Sequence, residues 1–184
     1  MTDHDIGADL RQRLGEYRPV DPGERQAVDA AMALLETHDA FSADRFAPGH
    51  ITASAFVLHP DAPAVALILH SKIGRWLQPG GHVELEDRSI VDAALREVRE
   101  EIGVGPADEP WMCDVDVHTF PARGDVPTHL HHDVRVAFTA EHADLVVGDG
   151  ADDVRWWPFA EAQGLEESIA RPIRKLAEGR QLRN

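Results

Sequence analysis

GHVELEDRSIVDAALREVREEIGV, residues 81–104, is the stretch on which the reading of this chain turns. Its last third sets Glu97, Glu100 and Glu101 within a roughly 100° arc of a helix that turns about 100° per residue. Val91, Ala94, Leu95, Val98 and Ile102 repeat at helical spacing and form a separate apolar stripe. One face is therefore expected to pack on a core while its neighbour concentrates negative charge. Two carboxylates about 5 Å apart at an effective dielectric near 20 repel by roughly 3 kcal/mol. A divalent cation among their oxygens relieves that repulsion. Carboxylates that keep open coordination positions suit Mg²⁺ or Mn²⁺, the ions of phosphate chemistry.

Glutamates on a helix are ordinarily a solvated face, and Arg96 and Arg99 can simply pair with neighbours. The flanks of this helix argue for more. Pro79-Gly80-Gly81 precedes it, where glycines permit a close backbone approach. Ser89 is placed to cap its start, with Asp92 three residues on, and Gly103 to end it. Loop, helix and stop are all specified within one short segment.

The segment resembles the signature of the Nudix hydrolases, G-x5-E-x7-R-E-U-x-E-E-x-G-U with U a bulky aliphatic residue. Arg96, Glu97, Val98, Glu100, Glu101, Gly103 and Val104 match its second half. The first half departs: Gly81 lies 15 positions before Arg96 instead of 14, and Asp87 stands at the early glutamate's distance from Gly81. The resemblance implies an α/β/α sandwich around a mixed sheet. It also implies metal-dependent hydrolysis of a phosphoanhydride in a small, nucleoside diphosphate-linked molecule. The metal set it implies is Glu97, Glu100 and Glu101 with the Gly80 carbonyl, holding Mg²⁺ or Mn²⁺; Glu97 and Glu100 are the expected catalytic residues.

Composition fits that expectation. The 184 residues, 43% apolar, can fill one substantial core with a small extension. A net charge of −15 disfavours nucleic acid polymers and anionic membranes as partners. It leaves small phosphorylated substrates open, because a bound metal reverses the local field. Cys113 is the only cysteine, which excludes an internal disulfide and suits a reducing cytoplasm. The acidic start MTDHDIGADL does not read as a secretory signal, and the apolar run from Ala62 to Leu69 is far too short to span a membrane.

Along the chain, residues 1–48 read as an N-terminal helical extension and residues 49–184 as the Nudix domain. Asp9 to Glu16 forms a short helix. Asp21-Pro22-Gly23-Glu24 signals a stronger one running to about His38, whose Val28, Ala31, Met32 and Leu35 face is expected to pack on the main domain or on a second subunit in a homodimer. Strands are expected over Ile51–Leu58, Ala64–His70, Val115–Thr119, Leu130–Phe138 and Val154–Trp157, with Trp76-Leu77 leading into the glycine loop. Glu161 to Gly179 reads as a helix interrupted near Pro172. Alternating strands and helices predict a mixed sheet between helical layers.

The strand around His129 carries the second pattern. Leu130, Val134, Val136 and Phe138 share one face, while His129, His131, Asp133 and Arg135 share the other. Two readings stand: an exposed edge strand blunted by charge, or a wall of the substrate cleft whose imidazoles donate to phosphate oxygens or handle protons. A zinc centre from His129, His131 and Asp133 is a further option, although alternate strand positions rarely complete a tetrahedron without a distant ligand. Among other candidates, Lys72, Arg75 and Trp76 are placed to grip a phosphate and stack on a base, and His82 to face the cleft. Asp149, Asp152 and Asp153 lie in a loop where many Nudix enzymes carry a further glutamate; the matching position here is Gly150. Two rivals remain: a nucleotide-binding module without catalysis, and an isoprenoid diphosphate isomerase, for which Cys113 is the sole candidate acid.

Overall fold

A computed structural model describes residues 3–181. Two helices open the chain, α1 (Asp3–Glu16) and α2 (Pro22–Leu34). The second starts as its sequence dictates: Asp21 is the N-cap, its side chain accepts the Glu24 N–H at 2.8 Å, and Pro22 takes the first turn, where no N–H is needed. The remaining elements are β1 (His50–Leu58), β2 (Ala64–His70), β3 (Trp76–Leu77), β4 (Gly80–His82), α3 (Ile90–Ile102), β5 (Trp111–Phe120), β6 (His129–Thr139), β7 (Ala151–Pro158), α4 (Phe159–Ala162) and α5 (Glu167–Gln181).

The seven strands form one sheet with the path β3-β2-β1-β6-β5, β4 pairing with β1 and β7 with β2. β1 and β6 run parallel and the other pairs antiparallel, so the sheet is mixed as expected. β1 and β2 meet only at Leu58↔Val65; the other half of β1 pairs with β4. β6 lies between β1 and β5, which overturns the exposed-edge reading of its polar face.

Strand alternation divides the core in two layers. Ile51, Ala53, Ala55 and Val57 of β1, with Val134, Val136 and Phe138 of β6, pack against α1, α2 and α3. Phe56, Leu58, Val65, Leu67 and Ala137 face the other way, onto Phe159, Ile169 and Ile173 of α4 and α5. The result is an α/β/α sandwich. Val28, Ala31 and Leu35 of the helical extension are buried in this chain's own core, so the apolar face offered to a domain or a second subunit meets the domain.

Two local outcomes differ from the sequence expectations. Gly80–His82 is a short strand and not a loop, because β1 has a free edge for it to pair with. The C-terminal helical segment breaks at residues 163–166, and α5 runs through Pro172. Proline removes the N–H that would bond the carbonyl four residues back. That carbonyl belongs to Ser168, and it accepts Arg135 Nη1 at 2.7 Å instead. Among the described residues, no helix is long and apolar enough to cross a membrane.

The extension is tied to the far end of the chain. Glu24, fully buried, accepts from the Val20 N–H at 2.7 Å, from the Tyr17 hydroxyl and from Lys175 Nζ at 2.5 Å. The Tyr17 hydroxyl oxygen also lies 3.0 Å from the Cys113 carbonyl, at the bulge of edge strand β5, and Lys175 reaches Asp114 at 3.1 Å.

Candidate active site

α3 is built as its sequence specifies. Ser89 Oγ accepts the Asp92 N–H at 3.0 Å, and Gly103 closes the helix in the left-handed region at φ 73°. Burial along it follows Ile90, Ala93, Ala94, Val98, Glu101 and Ile102, while Val91 and Leu95 are only partly covered. The buried arc is thus rotated from the expected stripe, and Glu101 falls inside it. The three glutamates do not share one exposed face. Glu100 keeps 52% of its side chain in solvent, Glu97 only 15%, and Glu101 is 7% exposed.

Strand β4 is what covers Glu97 and Glu101. The Gly80 N–H donates to Glu101 Oε2 at 2.9 Å. A Cβ at Gly81 would stand 2.6 Å from Glu97 Oε1, so glycine lets the carboxylate keep this position against the strand. Burial, reinforced by the charges of Glu97 and Glu100, pushes the Glu101 carboxyl up to about 8 against the pull of the Gly80 N–H. Burial likewise raises Glu97, with Arg96 opposing. The loop before β7 closes the same spot: the Gly148 N–H donates to the Glu101 carbonyl at 2.9 Å, and a Cβ at Gly150 would sit 3.0 Å from Glu101 Oε1. The loop expected to approach the glutamates does so, through its glycines.

Arg96 organises the cluster. Its guanidinium donates to Glu97 Oε1 at 2.9 Å, Glu100 Oε2 at 3.2 Å, the His82 carbonyl at 2.8 Å and both oxygens of Asp87 at 3.1 and 3.2 Å. Asp87 is buried and also accepts the Glu84 N–H at 2.8 Å. The residue standing at the early glutamate's distance from Gly81 therefore holds Arg96. Glu97 and Glu101, largely buried with raised proton affinity, and the exposed Glu100 offer hard carboxylate oxygens, the donor chemistry that suits ions such as Mg²⁺ or Mn²⁺.

The polar face of the sheet lies on the opposite side of β4. There β1, β4, β5 and β6 bring together His50, His82, His118, His129 and His131, with ring centroids 4.8 to 5.6 Å apart for each contacting pair. Burial, helped by the His50, His118 and His82 imidazoles, lowers His131 to about 3; burial also lowers His50. Deeper on this face, Arg135 is 1% exposed and binds Asp133 at 2.8 Å, Asp116 at 3.0 Å and Asp114 at 3.1 Å. Arg171 and Lys175 also reach Asp114, at 2.7 and 3.1 Å. Asp133 accepts from Thr52, Ser54 and Gln78 at 3.0, 2.8 and 3.1 Å besides Arg135, so its oxygens are engaged within the protein. His129 and His131 thus belong to the imidazole wall, while Asp133 is part of the ion network beneath it.

The remaining candidates lie elsewhere. Arg75 pairs with Glu166 between α4 and α5. Trp76 packs edge-on to Trp157 at 5.2 Å, with the Arg155 guanidinium 5.1 Å above its ring, so it serves the core. Asp153 pairs with Arg155. Cys113 is buried in the core layer with Phe159, Ile169 and Ile173, away from any cleft, and burial raises its thiol far above the usual range. Sequence reasoning missed His50 and His118; their signal lay in shared strand parity, legible only once the strand pairing is known.

The family model of the NUDIX domain matches residues 48–178. The chain belongs to the Nudix hydrolase family. Solved structures similar to it include an Ap4A hydrolase binary complex from C. elegans, at 15% identity and TM-score 0.52, covering 70% of this chain and 95% of that one. The NUDIX domain of Shewanella oneidensis NrtR, complexed with ADP ribose, aligns at 21% identity and TM-score 0.52 over 70% of this chain and 84% of its own. A MutT protein from Bacillus halodurans aligns at 17% identity and TM-score 0.52 over 68% of this chain and 78% of its own. A search of curated proteins returned no match.

Proposed function

We propose that this protein hydrolyses a phosphoanhydride bond in a small nucleoside diphosphate-linked molecule, using Mg²⁺ or Mn²⁺ held by Glu97, Glu100 and Glu101. One observation carries the reading: Glu101 and Glu97 of α3 lie against Gly80 and Gly81, Glu101 buried with its proton affinity raised, and Arg96 ties Glu97 to the exposed Glu100. A bound divalent ion supplies positive charge to the phosphate oxygens and a more acidic water, worth several kcal/mol. Gly80 contributes its carbonyl to the metal set and its N–H to Glu101. Arg96 and Asp87 fix the carboxylate directions. Glu97 supplies the inner carboxylate, and Glu100, the most exposed of the three, accepts the proton of the attacking water.

His82, exposed at the end of β4, is the imidazole placed to meet substrate, with His129 and His131 ranked behind it in the same wall. Arg75 and Asp133 are engaged by Glu166 and Arg135 and take no part in the proposed substrate contacts. The ADP ribose of the NrtR complex is one member of this substrate class. The test is a screen of nucleoside triphosphates, nucleotide sugars, ADP-ribose and dinucleotides with either metal, run beside Glu101→Gln. Turnover by the wild type that collapses in the variant supports the reading. Tight ligand binding with no phosphate release from the wild type would instead mark a non-catalytic nucleotide-binding module.

A further inference from the structure

His50, His82 and His131 come from three different strands, and strand pairing brings them together. β1 and β6 set His50 opposite His131; β1 and β4 set His82 opposite Thr52, two residues along on the same face. Ring centroids are 5.0 Å apart for His50–His82, 4.8 Å for His50–His131 and 5.6 Å for His82–His131. One ring nitrogen from each lies within 4.8 Å of the other two.

The hydrogen bonds around the rings settle which nitrogens are bare. His50 Nδ1 lies 3.0 Å from the Arg45 carbonyl, which can only accept, so Nδ1 carries the proton. That leaves His50 Nε2 as a lone pair in a residue with 0% exposure, and it has no partner. His129 Nδ1 likewise donates to the Pro127 carbonyl at 2.8 Å, so its Nε2 accepts from His131 Nε2 at 3.1 Å. His131 Nδ1 is then the bare nitrogen. Backbone carbonyls and a neighbouring imidazole thereby fix tautomer and ring direction, as outer partners do for metal-binding histidines.

We propose that His50, His82 and His131 form a three-imidazole site for Zn²⁺ or a similar borderline divalent cation, separate from the glutamate cluster. An all-nitrogen neutral donor set selects such ions over Mg²⁺ and Mn²⁺. Tetrahedral Zn–N bonds of about 2.0–2.1 Å place ligand nitrogens about 3.3 Å apart, so the rings must close by at most about 1.5 Å. His82, exposed at the end of β4, has the freedom to close. Phe120, stacked 4.9 Å from His131, and Phe46, 5.3 Å from His129, wall the imidazoles with apolar surface. β4 divides the two centres: Gly81 turns to Glu97 and His82 to the imidazoles.

The test is metal binding by the untagged, chelator-stripped full chain, independent of any catalytic assay. Titration with Zn²⁺ alone should show one tight equivalent, and Co²⁺ should give the visible absorption of a tetrahedral nitrogen site. His82→Ala, an exposed change that leaves the fold intact, should weaken Zn²⁺ by at least about 10–100-fold. His50→Ala should do the same, with circular dichroism checking its fold. Glu97→Gln/Glu101→Gln should keep the Zn²⁺ equivalent. The inference is overturned if the wild type takes up no Zn²⁺ at micromolar concentration, if His82→Ala binds within twofold of wild type, or if the equivalent disappears with the glutamates. A protein that binds Zn²⁺ this way yet hydrolyses nothing would sink the hydrolase reading and leave this one standing.

Discussion

The Gly80 N–H and Glu101 Oε2 are 2.9 Å apart, and through that bond the strand before the helix fixes the most buried carboxylate of the helix. Glu101→Gln keeps a side-chain oxygen for the Gly80 N–H but removes the negative charge. The variant is expected to melt no lower than wild type, while turnover with Mg²⁺ or Mn²⁺ falls by about 100-fold or more, as for lost transition-state charge stabilisation. Steady-state kinetics beside a thermal melt checks both halves. Near-normal turnover would take Glu101 out of the chemistry.

Gly81→Ala tests the close approach itself. The new methyl would lie 2.6 Å from Glu97 Oε1 and must displace that carboxylate. A shift near 1 Å in a positioned group costs on the order of 100-fold in rate. The expected signature is a large fall in kcat with a small change in melting temperature; unaltered kcat would show that the position of Glu97 is not critical.

Arg96→Lys asks whether the fork geometry of the guanidinium matters. Lysine keeps the charge but cannot serve Glu97, Glu100, Asp87 and the His82 carbonyl together. Activity should fall mainly in kcat, and Asp87→Asn should reproduce part of that fall. If KM alone rises, Arg96 is touching substrate and not orienting carboxylates.

Arg135→Met should remove about 3–5 kcal/mol, because it leaves Asp114, Asp116 and Asp133 buried without their shared cation. Urea unfolding at neutral pH measures this. A loss below about 1 kcal/mol would mean that Arg171 and Lys175 already balance the charge.

The same network sets an acid limit. Burial alone would raise the Asp116 carboxyl, but the His118 hydrogen bond and the charges of Arg135 and Arg171 outweigh it and bring Asp116 to about 2. A folded value below the ordinary one, about 3.9, means the stabilisation is fully present above pH 4 and is lost as pH falls through 2. Asp116→Asn should therefore lie about 2 kcal/mol below wild type at pH 6. The gap should close between pH 4 and pH 2. A gap that stays constant with pH would assign the loss to packing.

How much of this was legible in the sequence follows from the range of the interactions. The cap at Ser89, the stop at Gly103 and the cap at Asp21 are local, and each formed as its residues specify. The family signature placed the glutamates on α3, but their unequal burial depends on β4, which reads as a loop until β1 offers it an edge. Pro172 reads as a break because the sequence does not reveal that Arg135, 37 positions earlier, takes the carbonyl it frees. The polar stripe of β6 reads equally as a surface until the parallel pairing with β1 puts it in the middle of the sheet. His50 is beyond local reach altogether, since its proximity to His131 is a matter of strand order.

Glu24 sits on the second helix and Lys175 on the last one, and between them they clasp the outer strand at its bulge. Cutting the molecule back to the matched residues 48–178 would keep Lys175 but remove Tyr17 and Glu24, unfastening that clasp from one side. Lys175 would lose one of its two carboxylates, the Cys113 carbonyl its Tyr17 neighbour, and the sheet layer beneath the opening helices its roof. The leading residues are a keystone of the catalytic body, and shortened versions should begin before them.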